Sequence, residues 1–252
     1  MNKERIKQFS QRILPAPVYR WLKDRWHVYQ CRPPLGMTRW GDLRRLEPID
    51  SRWGFSRGQP IDRYYIEKFL ARHAGDIRGR VLEMADRRYT ERYGGDRVTR
   101  SDVLHVEEGN PEATIVADLT DAPQIPDESF DCFILTQTLQ FIYETRPALK
   151  TAHRILKPGG ILLVTISGIS PMSDPEWSRG WFWNFTTLSA RRLFEEVFPD
   201  GSFEVESFGN ILSAIAFLQG LASRELRGEE LEYRHPGFPV TIAVRAVKSN
   251  AG

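Results

Sequence analysis

The stretch that decides the fold is ADLTDAPQIPDESFDCFILTQTLQFI at residues 117–142, followed by LKTAHRILKPGGILLVT at residues 149–165. Two of its apolar runs, FDCFILT and ILLVTI, predict buried strands because they are short and rich in β-branched and aromatic residues. Between them, apolar residues recur with the 3.6-residue period of a helix, and the Lys-Pro-Gly-Gly run at residues 157–160 ends it. A strand, a helix and a second strand in this order predict two parallel strands joined by a crossover helix.

The same alternation continues on both sides of this unit. Further strands are predicted at residues 81–84, 97–102, 113–118, 203–208 and 240–247, and further helices at residues 62–72, from 189 onward and at 211–221. This alternation favours an α/β fold of about seven strands, mostly parallel and covered by helices on both faces. We expect the last strand, VTIAVRAV, to be antiparallel and near one edge.

The N-terminal part differs in composition from the rest. We predict an extension at residues 1–60, helical at its start, and one domain at residues 61–252. Residues 1–32 carry eight Lys or Arg against two acids, with five aromatic residues interleaved. Two interpretations stay open for this arm: contact with a membrane surface or another anionic partner, or a helix packed on its own domain or on a dimer mate.

Composition excludes several classes of protein. The net charge of +2 gives no reason to expect a nucleic-acid partner. Two cysteines without a Cys/His cluster predict neither a disulfide framework nor a metal site. The N-terminal residues lack the apolar core of a signal peptide, and the apolar run at residues 161–166 is too short to cross a bilayer. We therefore expect a cytoplasmic location.

Candidate ligand contacts stand where the early strands are predicted to end, because open α/β sheets bind ligands at the carboxyl ends of their strands. These residues are Glu83, Met84 and Ala85 after the first strand, Asp102 after the second, Asp118 and Leu119 after the third, and Thr136 and Gln137 after the fourth. A carboxylate suits a ribose diol, and another suits an amino group.

An ordered set of motifs resembles the class I S-adenosylmethionine-dependent methyltransferases, in the branch called type 11 that acts on small molecules and glycan-associated substrates. The matching motifs are Asp118-Leu119, Ile125-Pro126-Asp127, Ser129-Phe130-Asp131 and Arg154-Ile155-Leu156-Lys157-Pro158-Gly159-Gly160. The resemblance implies a Rossmann-like sandwich and S-adenosylmethionine as the cofactor. The same Arg-Ile-Leu-Lys-Pro-Gly-Gly run, and the lack of a GxGxxG motif, argue against a nicotinamide oxidoreductase.

The resemblance also implies roles for single residues. Asp102 would bind the ribose hydroxyls, Asp118 would face the adenine amino group with Leu119 against the ring, and Gln137 would lie where the sulfonium meets the acceptor. The segment after the fifth strand corresponds to the acceptor lid, and its aromatic residues are Trp177, Trp181, Phe182 and Trp183. Tyr143 and Asp174 are candidates for a catalytic base. We expect O-methylation of a small-molecule or a sugar or glycan-linked hydroxyl.

The chain departs from the family at its glycine-rich first motif. Glu83 is kept, but alanine, arginine and tyrosine stand at positions 85, 87 and 89, where the family has glycines. A re-formed loop, turned by Gly94-Gly95, would still bind the cofactor, with Arg57 or Arg63 holding its methionine carboxylate in place of the lost amides. Arg87 and Arg88 are further candidates. Otherwise the cofactor is lost, and the chain is a catalytically silent binding or scaffold protein.

Overall fold

The computed structural model describes residues 15–30, 33, 37–172, 177–199 and 202–250. The chain divides into two compact units, residues 1–46 and residues 47–252. The boundary predicted between residues 60 and 61 therefore lies inside the second unit. Residues 47–60 pack there, as the hydrogen bond of 3.1 Å from the Asp50 amide to the Gln219 carbonyl illustrates.

The first unit contains a helix, α1 (Ala16–Gln30). Val18, Trp21 and Leu22 are exposed on it, at the spacing of one helix face. The guanidinium of Arg25 lies 5.2 Å from the centre of the Trp21 ring. The helical extension predicted from the sequence is thus present, while the first part of the basic arm, residues 1–14, lies outside the described residues.

The second unit contains a seven-stranded sheet. Its strands are β1 (Gly79–Met84), β2 (Val98–His105), β3 (Ile115–Val116), β4 (Phe130–Thr136), β5 (Leu156–Ser167), β6 (Phe203–Phe208) and β7 (Thr241–Val247), in the spatial order β3-β2-β1-β4-β5-β7-β6. Strands β1 to β5 pair in parallel, and β7 is antiparallel to both of its neighbours. The predicted sheet is confirmed in strand number, direction and the place of the last strand.

Helices cover both faces of the sheet. They are α2 (Ile61–Arg72), α3 (Thr145–Ile155), α4 (Thr187–Val197), α5 (Ile211–Leu218) and the short α6 (Gly228–Glu232). The apolar faces of α3 and α4 pack on one side, and α2 and α5 on the other. Two capping boxes fix helix starts: Thr186 with Ser189 at α4, and Asn210 with Ser213 at α5.

Two predicted strand boundaries are wrong. The second strand was placed at residues 97–102 but continues to His105, and the third shrinks from residues 113–118 to Ile115–Val116. No helix forms between them, at residues 106–114. Because the carboxyl ends of β1 to β5 all lie at one edge of the sheet, these shifts change which side chains stand at the candidate site.

Candidate functional site

The loop after β1 is anchored by Glu83. This side chain is 1% exposed, and its carboxylate accepts hydrogen bonds from the Tyr89 amide (3.1 Å), the Thr90 amide (2.7 Å) and the Thr90 hydroxyl (2.7 Å). Burial raises the pKa of Glu83 to about 7, although the bonds from Thr90 and Tyr89 pull it down. Glu83 thus ties the end of β1 to the helical turn that begins at Thr90.

Ala85 has a backbone conformation that favours glycine. Its φ is 69°, a left-handed conformation that alanine rarely adopts. The Ala85 amide donates to the Leu104 carbonyl (3.0 Å), and its carbonyl accepts from Asn110 Nδ2 (2.6 Å). Met84 before it packs partly buried against the core. The left-handed turn at Ala85 is therefore held by the neighbouring strand β2 and by the loop that follows β2.

Asp102 does not stand at a strand end, contrary to the prediction. It lies inside β2 opposite Leu82, and its side chain is 2% exposed. Arg80 Nε donates to it at 2.7 Å and Arg100 Nη2 at 3.1 Å. Burial would raise the pKa of Asp102, but these hydrogen bonds outweigh it and hold the pKa below its usual value. Asp102 neutralises arginines within the sheet, and this placement does not suit a ribose contact.

Carboxylates do follow the true ends of β2 and β3. Glu107 and Glu108 are exposed just past His105. Asp118 is exposed two residues past β3, where it accepts from the Thr120 amide and hydroxyl, each at 2.8 Å, while Leu119 is buried. The apolar pair Val103-Leu104 directly after Asp102 is the sequence feature that indicates a longer β2. A longer β2 in turn places Glu107 just past the strand end.

A polar cluster lies at the ends of β4 and β5. Gln137 follows Thr136, the last residue of β4, with a φ of 48°. Its Oε1 accepts from Gln140 Nε2 and from the Ser167 hydroxyl, each at 2.7 Å. Within the described residues, two buried atoms of these amides have no hydrogen-bond partner: Gln137 Nε2, a donor, and Gln140 Oε1, an acceptor. Gln140 and Ser167 were not predicted from the sequence.

Aromatic side chains stand beside this cluster. The Tyr143 ring is 60% exposed, stacks on Trp183 and meets Phe182 edge to face, each with ring centres 5.5 Å apart. The amides of Phe182 and Trp183 donate to the Gln140 carbonyl at 2.8 and 3.2 Å. The segment that the sequence predicts to be an acceptor lid is thus hydrogen-bonded to Gln140. Asp174 lies outside the described residues, so its role as a base stays a prediction.

The two arginines predicted for the methionine carboxylate lie in different surroundings. Arg57 forms a two-point ion pair with Glu225, with Nε 2.9 Å from Oε2. Arg63, in the first turn of α2, donates from Nη1 to the Tyr89 hydroxyl at 3.0 Å. Only Arg63 is therefore next to the loop that follows β1.

The described residues contain no group of three or more His, Cys, Asp or Glu side chains arranged to hold a metal ion. None of the helices formed by these residues is long and apolar enough to span a bilayer.

Residues 73–164 match the family model described as a methyltransferase domain. A comparison with curated proteins gives no match. The fold is similar to a SAM dependent methyltransferase from Archaeoglobus fulgidus (TM-score 0.50, 13% identity, 73% of this chain and 94% of that one). It is also similar to an S-adenosylmethionine dependent methyltransferase from Mesorhizobium loti (TM-score 0.48, 15% identity, 74% and 97%).

At these identities the structural similarity concerns only the fold. The family match concerns the sequence of residues 73–164. The matched residues run from just after α2 into β5, and they include the carboxyl ends of β1 to β4. The family implies S-adenosylmethionine as the cofactor. Over residues 73–164 the chain matches the methyltransferase-domain family, and its fold is that of S-adenosylmethionine-dependent methyltransferases.

Proposed function

We propose that this protein transfers a methyl group from S-adenosylmethionine to a hydroxyl of a small molecule or of a sugar or glycan-linked acceptor. The observation that carries the proposal is the unpaired donor and acceptor at the end of β4, Gln137 Nε2 and Gln140 Oε1. A buried polar atom without a partner costs about 1–3 kcal/mol. A hydroxyl both donates and accepts, so an acceptor oxygen that reaches both atoms can satisfy them.

The residues at the other strand ends fit the cofactor. Ala85 turns the loop with the positive φ that a glycine usually supplies, and Asp118 offers an exposed carboxylate to an adenine amino group. We assign the ribose diol to Glu107 instead of Asp102, because Glu107 is exposed past the end of β2 whereas Asp102 is committed to Arg80. When bound, the cofactor supplies an electrophilic methyl group on sulfur.

The chain's own contribution is alignment of the acceptor and exclusion of water. The amide pair of Gln137 and Gln140 would orient the hydroxyl oxygen. The rings of Tyr143, Phe182 and Trp183 offer flat apolar faces on which a sugar ring can lie. The ring contacts of Tyr143 support a wall of this site, and Asp174 stays the predicted base.

The basic arm at residues 1–32 supports a second, peripheral contact. Its net positive charge and the exposed Val18, Trp21 and Leu22 of α1 suit an anionic membrane surface, and a dimer contact is the alternative. An acceptor carried on a membrane-associated glycan would then be brought to the enzyme from the cytoplasmic side.

Calorimetric titration with S-adenosylhomocysteine tests the cofactor part of the proposal. We expect micromolar binding, about −8 kcal/mol. Neither heat nor a thermal shift at millimolar ligand would contradict it and would favour the silent binding or scaffold protein.

The acceptor part is tested by transfer of labelled methyl groups to a panel of methyl glycosides. We expect Gln140→Met to lower kcat/KM about 10- to 100-fold, since one hydrogen bond to the acceptor is lost. Affinity for S-adenosylhomocysteine should stay within about twofold. Gln124→Met, on the exposed loop after β3, is the matched control. Equal effects of the two variants, or no transfer to any hydroxyl, would contradict the acceptor assignment.

A further inference from the structure

A basic cleft lies beside the loop that follows β1. It has a volume of about 340 Å³ and lies between the segment before α2, the first turns of α2 and the helical turn after β1. Among its lining residues are the cations Arg63, Arg88 and Arg92 and the carboxylate of Glu67. Tyr89 joins the cleft to the strand end, because its amide donates to Glu83 while its ring lines the cleft.

The three arginines differ in their partners. Arg88 pairs with Asp86 (2.7 Å) and Arg92 with Glu67 (2.9 Å). Arg63 has no carboxylate within 4.0 Å anywhere in the described parts of the chain, and the Tyr89 hydroxyl is its side-chain partner. Burial alone would lower the pKa of Arg63, but Asp62 and Tyr89 reverse the shift, and the guanidinium stays charged. Arg63 is thus a half-buried cation whose charge is not matched by a contacting anion.

The backbone of the loop has little left to offer an anion. The amides of Ala85 and Asp86 donate to the carbonyls of Leu104 (3.0 Å) and Met84 (2.9 Å). The amide of residue 88 donates to the carboxylate of residue 86 (3.0 Å), and those of residues 89 and 90 donate to Glu83. An amide carries one proton, so these groups are already used. With the amides of residues 85, 86, 88, 89 and 90 used in this way, a side-chain donor offers a ligand carboxylate the stronger contact at this loop.

We propose that Arg63, oriented by the Tyr89 hydroxyl, binds the carboxylate of the cofactor's methionine moiety in place of the backbone amides of a glycine loop. The assignment rests on the proposed function. A guanidinium presents two parallel N–H donors to a carboxylate, which gives both charge and orientation. Arg57 is not the partner, because its Nε and Nη2 both donate to the Glu225 carboxylate, which already neutralises its charge.

Two ligands that differ in the amino acid carboxylate test the contact with Arg63. S-adenosylhomocysteine carries the amino acid carboxylate, whereas 5′-methylthioadenosine has the same adenosine without it. We expect Arg63→Met to weaken S-adenosylhomocysteine binding about 10- to 100-fold, as measured by calorimetry. Binding of 5′-methylthioadenosine should stay within about twofold. Arg57→Met is the matched control and should change neither ligand.

Conservative variants keep the test valid if Arg63→Met does not fold. Arg63→Lys retains the charge but not the two-point geometry, and Tyr89→Phe removes only the orienting hydroxyl. Both should show a smaller loss that is again confined to S-adenosylhomocysteine. An unchanged affinity in all three variants, or an equal loss for both ligands, would overturn the assignment of Arg63. If neither ligand binds the wild-type protein, the proposed function itself fails and this assignment with it.

Discussion

Ala85 has a left-handed backbone conformation although it is not a glycine. We predict that Ala85→Gly changes the free energy of unfolding by less than about 0.5 kcal/mol, because relief of the left-handed conformation is offset by the backbone entropy of glycine. Ala85→Val should destabilise by about 1–3 kcal/mol, since a β-branched residue at a φ of 69° is strained. Urea unfolding measures both. Equal effects would mean that the loop does not have this conformation in solution.

We predict that burial of Glu83 makes the stability of the protein depend on pH. Its folded pKa of about 7 lies above the ordinary value of 4.5, so the folded state holds a proton that the unfolded state has lost. The free energy of unfolding should therefore fall as pH rises from about 4.5 through 7, by about 3 kcal/mol in all. Glu83→Gln should lack this component. Parallel pH profiles of wild type and variant in chemical unfolding would contradict the raised pKa.

Single residues also mark where sequence reasoning stops. The sequence places Asp102 at the end of a strand predicted over residues 97–102. It is instead buried, because Arg80 reaches it from the neighbouring strand. The side-chain amides of Gln137 and Gln140 are likewise positioned by a hydrogen bond between them across a turn, and Ser167 on the next strand donates a second hydrogen bond to Gln137. Such partners depend on the register of strands, and the register is absent from the local pattern.

At the scale of elements, the start of β1 depends on Gly79. Its φ is 68°, and a Cβ there would lie 2.5 Å from Asp131 Oδ2. Asp131 cannot easily move, since it accepts from the Arg80 amide (2.8 Å) and from Lys157 Nζ (2.7 Å). We predict that Gly79→Ala destabilises the fold by about 2–4 kcal/mol.

Gly75→Ala is the matched control for this prediction. Gly75 lies just upstream in a single helical turn, and a Cβ there meets nothing within 4 Å. Its substitution should leave the midpoint of thermal unfolding nearly unchanged. A similar loss in both variants would show that flexibility of the segment before β1, and not the Asp131 contact, determines its stability.

Elements with strong periodicity were predictable, and weak ones were not. The helix α3 and strands β4, β5 and β7 follow directly from apolar runs and a 3.6-residue repeat. β3 has only two residues, Ile115 and Val116, and these pair with Leu104 and His105 of β2. Part of the predicted longer strand is instead a loop after β2, and the side chain of Asn110 in this loop donates a hydrogen bond to the Ala85 carbonyl. Nothing in the local sequence distinguishes these two outcomes.

At the scale of the whole molecule, the arm at residues 1–32 provides a further prediction. We expect the full chain to co-float with anionic phospholipid vesicles at low salt and to dissociate at high salt, because screening weakens the attraction. Deleting residues 1–32 should abolish flotation and leave the thermal unfolding of the second unit unchanged. Neutral vesicles are the control. Loss of a dimer in size-exclusion chromatography, without vesicle binding by the full chain, would support the packed-arm alternative.

The position of β7 has a consequence for how the protein is made. This strand is the last of the seven to leave the ribosome, yet it lies between β5 and β6 and is the only hydrogen-bonded neighbour of β6 in the sheet formed by the described residues. Until residues 241–247 emerge, a nascent chain exposes the open edge of β5 and an unpaired β6. Such edges favour pairing with other chains. Synthesis that stalls before Thr241 should therefore yield an aggregation-prone intermediate that chaperones must hold, whereas release of the last strand closes the sheet in one step.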